Sequence, residues 1–219
     1  MDKLRLLFEK TGRAAYISHL DLMRTMQRAF LRADLPLKYS EGFNPHAQIS
    51  MLLPLPLGQE SVCELMDFRV SAECELSDMA GRLSAALPEG IRVLRVWEPE
   101  RKGKELKWLR IRGRLDYDAG QNAATAAALG DFFARDRIVI FRRTKRGEGE
   151  SDIRPAIRSF TAVSSTESVG IDAVVSAQEP TLNPDLLVSA LRQLAPELAP
   201  DFARFTRVAV YDAEMRPFE

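Results

Sequence analysis

A chain of 219 residues suits one large or two small domains, and a composition 46% hydrophobic and 28% charged excludes a disordered or low-complexity protein. Lys+Arg and Asp+Glu both number 31, so no global charge draws the chain to nucleic acid or to an anionic membrane. No apolar run nears the roughly 20 residues of a membrane span, the charged start Met1-Asp2-Lys3 is not that of a signal peptide, and Cys63 and Cys74 are too few for a disulfide framework or a four-thiolate metal site.

Leu4, Leu6 and Phe8 alternate with Arg5, Leu7 and Glu9, which predicts a half-buried strand over residues 3–9. Ser18 opens a helix, and Asp21 three residues on completes a capping box. Leu22, Met23, Met26, Ala29 and Phe30 form its apolar stripe, and Pro36 predicts a stop near Asp34. Residues 48–57 read as a strand that contains Pro54 and Pro56. The two missing N–H groups fall on one side of it, which an outer edge alone tolerates. A strand over 63–70, a helix over 77–87 and a strand over 91–97 complete the order β-α-β-β-α-β across residues 1–99. That is the split β-α-β order of the ferredoxin-like fold.

The second half repeats the order. A strand is expected over 107–117, an Ala-rich helix over 121–133 and a strand over 137–143. A Gly-containing loop over 144–151 leads to an extended segment near 153–163, then a strand over 171–177. Asn183 and Pro184 open a helix, and 205–211 closes as a strand. The pattern again reads β-α-β-β-α-β, with one extra strand. The expected fold class is α+β: two tandem ferredoxin-like domains with antiparallel sheets, residues 1–99 and 105–219, joined near Pro99 to Lys104.

The neutral chain is polarised. From Arg101 to Arg158 there are 15 basic residues against 8 acidic ones, an excess of seven, and the tail half carries much of the balancing acid. Arg110, Arg112 and Arg114 alternate with apolar residues, so they share one sheet face. Arg142 and Arg143 run with Lys145 and Arg146 into the Gly-containing loop. A basic sheet face or a basic hairpin tip is how many small α+β domains hold RNA, although a sheet with one wet face also needs charges. Arg24, Arg28 and Arg32 recur every four residues on the first helix, with Lys38, Tyr39 and Phe43 following. Such a set suits a phosphate backbone with an aromatic platform beside it, or serves as a solvated helix face.

Only two histidines occur. His19 follows the Ser18 cap, where free N–H groups favour an anion, and His46 follows the turn Gly42-Phe43-Asn44-Pro45. Each is a candidate general acid or base towards a phosphate or a 2′-hydroxyl, or else a solvent-facing turn residue. The connection from Pro36 to Pro45 reaches ~30 Å, enough to fold Phe43 or His46 back towards the first helix turn. There is no Gly-rich phosphate loop, dinucleotide fingerprint, His-Glu-x-x-His or Gly-x-Ser-x-Gly motif. No metal site and no cofactor are expected.

Residues 4–24, and the run from Tyr39-Ser40-Glu41-Gly42-Phe43-Asn44-Pro45-His46 through Leu53-Pro54-Leu55-Pro56-Leu57-Gly58, resemble an uncharacterised bacterial family of radical-SAM-linked proteins. Its members occur fused to a radical-SAM enzyme or encoded beside one. Ser18, His19, Asp21, Arg24, Gly42, Phe43, Asn44, Pro45 and His46 match the family motif. The resemblance implies a radical-SAM enzyme as partner. This chain lacks a three-cysteine cluster motif, so it is not itself the radical catalyst.

The leading expectation is a non-catalytic, cytoplasmic, RNA-binding accessory protein that presents substrate to that partner in RNA modification, with no membrane involved. The alternatives are a metal-independent endoribonuclease using His19 or His46, and a protein–protein scaffold for the radical-SAM enzyme.

Overall fold

The computed structural model describes residues 3–72, 74–118, 123–144, 147–166 and 168–218. Two compact units divide the chain, the first running through Glu105 and the second from Leu106 to Phe218. Both are mixed α+β structures built on antiparallel strands.

The first unit comprises β1 (Leu4–Lys10), α1 (His19–Arg32), β2 (Ile49–Met51), β3 (Glu60–Phe68), α2 (Leu76–Ala86) and β4 (Ile91–Trp97). Its strands pair in the order β4-β1-β3-β2, each pair antiparallel. Leu4 and Leu6 lie opposite Phe68 and Met66, and with Phe8 they meet Leu22, Met26 and Phe30 of α1 and Met79 and Leu83 of α2. The Phe30 and Phe68 rings pack at 4.8 Å. Each such side chain removed from water contributes roughly 1.5–3 kcal/mol.

Both ends of α1 are closed by local chemistry. Ser18 Oγ accepts from the Asp21 N–H at 3.2 Å and donates to the Asp21 carboxylate at 2.7 Å. At the other end Leu35 N–H bonds Phe30 O and Asp34 N–H bonds Leu31 O, with Asp34 at φ 53°. This is a Schellman motif with aspartate in the left-handed position. It stops the helix ahead of Pro36.

Two expectations are corrected here. The second strand covers three residues rather than ten, and Pro54 and Pro56 lie beyond it. Leu52 N–H still reaches Leu65 O, but two prolines in the next four residues lack the N–H groups to continue the ladder. The chain instead crosses to the start of α1, where Gly58 N–H donates to Ala15 O at 3.0 Å. Arg5, on the side of β1 expected to be half exposed, is fully buried.

The second unit comprises β5 (Trp108–Asp116), α3 (Ala123–Ala134), β6 (Val139–Thr144), β7 (Gly147–Asp152), β8 (Ile157–Ser164), β9 (Ser168–Ser176), α4 (Asp185–Leu194) and β10 (Phe202–Tyr211). The pairing order is β10-β5-β9-β8, again antiparallel, while β6 and β7 form a separate hairpin. The expected Gly-containing loop is therefore mostly strand β7, which brings the extra strands to two. Its sequence Gly147-Glu148-Gly149-Glu150-Ser151-Asp152 has no apolar residue to betray it. Lys145, Arg146 and the first residues of the expected helix, Gln121 and Asn122, lie outside the described residues. In mid-strand, a Cβ on Gly113 would sit 2.7 Å from Ile171 Cγ1 and 2.9 Å from the Phe205 ring, so glycine is what lets the neighbouring strands pack there.

Candidate functional site

Strand alternation in the second unit sorts its sheet into two faces. Leu109, Ile111 and Leu115 are buried on one face, and on that side Phe160 of β8 packs against Phe133 of α3 at 4.2 Å. Trp108, Arg110, Arg112, Arg114 and Asp116 take the other face, where register sets Asp172 of β9 opposite Arg112 and Arg204 of β10 opposite Arg114. The three arginines share a face as expected, and their side chains are 41%, 65% and 48% exposed.

What the sequence did not reveal is how far they are paired. Asp172 accepts from Arg110 Nε and Nη2, both at 2.8 Å, and lies 3.4 Å from Arg112. The Arg110 guanidinium, with help from Arg112, holds the Asp172 carboxyl below the usual carboxylate range despite partial burial. Asp116 is shared in the same way by Arg114 at 2.7 Å and Arg204 at 3.6 Å. Arg158 lies over the Trp108 ring at 5.3 Å, and Arg204 over Phe202 at 5.7 Å. Four guanidinium groups (Arg110, Arg112, Arg114, Arg204) thus share two carboxylates and Arg158 rests on a ring, so the five outnumber these two carboxylates by three. Three aromatic rings accompany them: Trp108, Phe202, and Tyr211, which stands opposite Trp108. Arg158, Arg204 and Phe202 carry no motif, and they join the set only through strand register.

The basic hairpin is a different surface. Arg143 pairs across to Glu148 and Arg142 to Gly149, so Arg143 shares its face with a carboxylate, while Arg142 is partly buried. Phe141, opposite Glu150, is exposed.

In the first unit, Arg24 donates to Asp21 at 3.2 Å, Arg28 is exposed, and Arg32 donates to Ala86 O at 2.6 and 3.2 Å. The expected arginine ladder thus ends in a tether to α2. Lys38, Tyr39 and Phe43 are exposed, and Phe43 is completely so. The turn beneath Phe43 is tightly closed. Tyr39 bridges to Ala47, Ser40 N–H donates to His46 O at 2.9 Å, and His46 N–H donates to Ser40 Oγ at 3.1 Å. Gly42 at φ 122° supplies the left-handed residue that the turn needs, and Asn44 and Pro45 are exposed on its far limb.

His19 and His46 are not brought together. His19 opens α1 beyond the Lys10 end of β1, and its side chain makes no hydrogen bond or ion pair among the described residues. His46 lines a cavity with Lys3, next to the opposite end of β1. A seven-residue strand spans ~20 Å, so the turn does not fold back to the first helix turn as expected. The Pro54–Gly58 segment takes that place beside Ala15 and Tyr16.

Two cavities in the first unit matter. The His46 cavity, about 290 Å³, is also lined by Gln48, Ser50, Asp67 and Arg69. A larger open cleft of about 960 Å³ lies at the start of β4. Its charged residues, Glu9, Arg13, Glu89 and Arg92, sum to zero, and Glu9 already accepts from Arg92 at 2.8 Å. Among the described residues no cluster of His, Cys, Asp or Glu could hold a metal ion, and no helix is long and apolar enough to cross a membrane.

The model of the family described as "Uncharacterized protein conserved in bacteria (DUF2344)" matches residues 3–184, and the chain belongs to that family. No curated protein matches it. Among solved structures, an unknown protein from Galdieria sulphuraria aligns over 94% of this chain and 98% of its own, at 11% identity and a TM-score of 0.28. The acetolactate synthase small subunit from Thermotoga maritima aligns over 97% and 98%, at 10% identity and a TM-score of 0.26.

Proposed function

We propose that this member of the DUF2344 family is a non-catalytic RNA-binding accessory protein, which holds single-stranded RNA on the open sheet face of its second unit and presents it to a radical-SAM enzyme for modification in the cytoplasm. In this reading the two units are tandem ferredoxin-like domains. Each pairs its strands in the order fourth, first, third, second, once the β6–β7 hairpin is taken as an insertion in the second.

The observation that carries RNA binding is the surplus of three guanidinium groups beside Trp108, Tyr211 and Phe202. Arginines track phosphates, and flat rings stack on unpaired bases without regard to sequence. The radical-SAM partnership is supported by the sequence resemblance over residues 4–58, and this chain's two cysteines fit the accessory role. The separation of His19 from His46 weighs against a ribonuclease that uses both in one site.

Filter binding of a single-stranded oligonucleotide tests the reading. About three neutralised phosphates give a slope of log K against log salt of roughly −2. A flat salt dependence, or no binding below about 100 μM, removes it. A radical-SAM enzyme absent from material co-purified with the tagged protein removes the second half of the proposal.

A further inference from the structure

Beside the Leu4 end of β1, the His46 cavity brings together charges that the sheet-face reading does not use. Arg5 Nε reaches Asp67 Oδ1 at 2.6 Å and Arg5 Nη2 reaches Oδ2 at 3.2 Å, while Lys3 Nζ lies 2.6 Å from Oδ2. Asp67 is thus shared by two cations, of which Lys3 lines the cavity with it. Arg69 is a further cation on that wall. The residue is partly buried, and its side chain makes no hydrogen bond or ion pair among the described residues. A guanidinium on a cavity wall with no counter-charge of its own is placed to take an anion.

His46 completes the set. Its Nδ1 lies 3.0 Å from Ser40 Oγ and 3.4 Å from Asn44 O. A carbonyl accepts and never donates, so a proton on Nδ1 suits both contacts and leaves Nε2 for a ligand. We infer that this cavity binds a phosphate group, with Arg69 and Lys3 as its cations and His46 Nε2 as a further polar contact. A phosphate monoester presents three terminal oxygens carrying up to two charges, which matches a forked guanidinium, an ammonium and an imidazole better than a single carboxylate does. A volume of about 290 Å³ admits the phosphate with part of the group that carries it. Two sources share this chemistry: the terminal phosphate of an RNA strand and a small phosphorylated molecule. The inference stands whether or not the sheet face binds RNA.

The test is amide NMR titration of the full chain with inorganic phosphate, a nucleoside 5′-monophosphate, and a trinucleotide with and without its 5′-phosphate. Saturable shifts at residues 46–50 and 67–69 are expected with every phosphorylated probe, and these residues should not move with the 5′-hydroxyl trinucleotide, whatever shifts either trinucleotide produces on the sheet face. Tighter binding of the 5′-phosphorylated trinucleotide than of the mononucleotide assigns the site to an RNA end, and equal binding assigns it to a small molecule. Arg69→Ala should weaken binding about tenfold or more, the worth of one charged hydrogen bond. Arg69→Lys, which keeps the charge and loses the fork, should fall between, and Arg192→Ala, exposed in the last turn of α4 and outside both sites, should change nothing. Absence of saturable shifts in the wild type up to about 10 mM phosphate, or undiminished binding in Arg69→Ala, overturns the proposal. Should Arg69→Ala fail to fold, Arg69→Lys and the paired trinucleotides decide it.

Discussion

Arg5 and Asp67 face each other across β1 and β3 with Nε 2.6 Å from Oδ1, and their side chains are 0% and 9% exposed. An ion pair this far from water is expensive to assemble, and breaking it from one side is worse, because the remaining charge stays buried. Asp67→Ala should therefore cost about 3–5 kcal/mol in urea unfolding. Replacing both partners with apolar residues of similar volume, Arg5→Met with Asp67→Leu, should recover much of that loss. An additive double variant would show that the two do not act as a pair.

Lys10 is the second buried cation among the described residues of the first unit. Its Nζ donates to Ala15 O at 2.9 Å, burial pushes its pKa down, and Glu64 pulls it part of the way back. Between the depressed folded value and the ordinary lysine value, the unfolded chain holds a proton that the folded chain does not. Stability from this group therefore rises with pH across that window. Lys10→Met should flatten that rise, because methionine has no proton to release in that window. Urea titrations of wild type and variant at several pH values read the effect.

These buried charges mark the limit of what local sequence encodes. Alternation in Leu4–Lys10 located β1 and its core face, and Ser18 with Asp21 located the start of α1, because both signals are local. Burial of Arg5 depends on Asp67, sixty-two residues away, and no local pattern encodes that. The same holds on the second sheet. The alternation of Arg110, Arg112 and Arg114 revealed a basic face, while Asp172 entered it through the β5–β9 register. Strand β7 escaped notice because its six residues are glycine, serine and acids, with nothing apolar to mark a period.

Tyr117 gives the second unit an alkaline limit. Burial, with the nearby Asp201 charge, raises its pKa from 10.0 to about 12, and its hydroxyl donates to Leu198 O at 3.1 Å. The folded chain keeps this proton after the unfolded chain has lost it. The contribution is thus complete below pH 10 and disappears as pH rises towards about 12. Tyr117→Phe should lose about 1 kcal/mol near neutrality, the net worth of one hydrogen bond, and show a weaker alkaline decline. Absorbance titration of phenolate should reveal one late-titrating tyrosine that vanishes in the variant.

On the proposed RNA-binding reading, Asp172 acts on stability and on binding with opposite signs. Its carboxylate occupies Arg110 and Arg112, cations that RNA phosphates would otherwise meet. Asp172→Asn keeps the shape and a hydrogen-bond acceptor but removes the charge, releasing both guanidinium groups. Folding should suffer by about 1 kcal/mol at most, since the partners are 41% and 65% exposed and water screens them. With its folded pKa depressed, Asp172 contributes its stability above the ordinary carboxylate range and loses it as pH falls through the folded value, so wild type and variant should converge in acid. RNA binding should move the opposite way, tighter than wild type, with a salt slope steeper by about 0.7 for each phosphate newly engaged. Arg112→Ala should be the mirror image, weaker and shallower by the same step. Salt-dependent filter binding of the three proteins separates the outcomes: if Asp172→Asn binds RNA no better than wild type, the open sheet face is not where RNA sits.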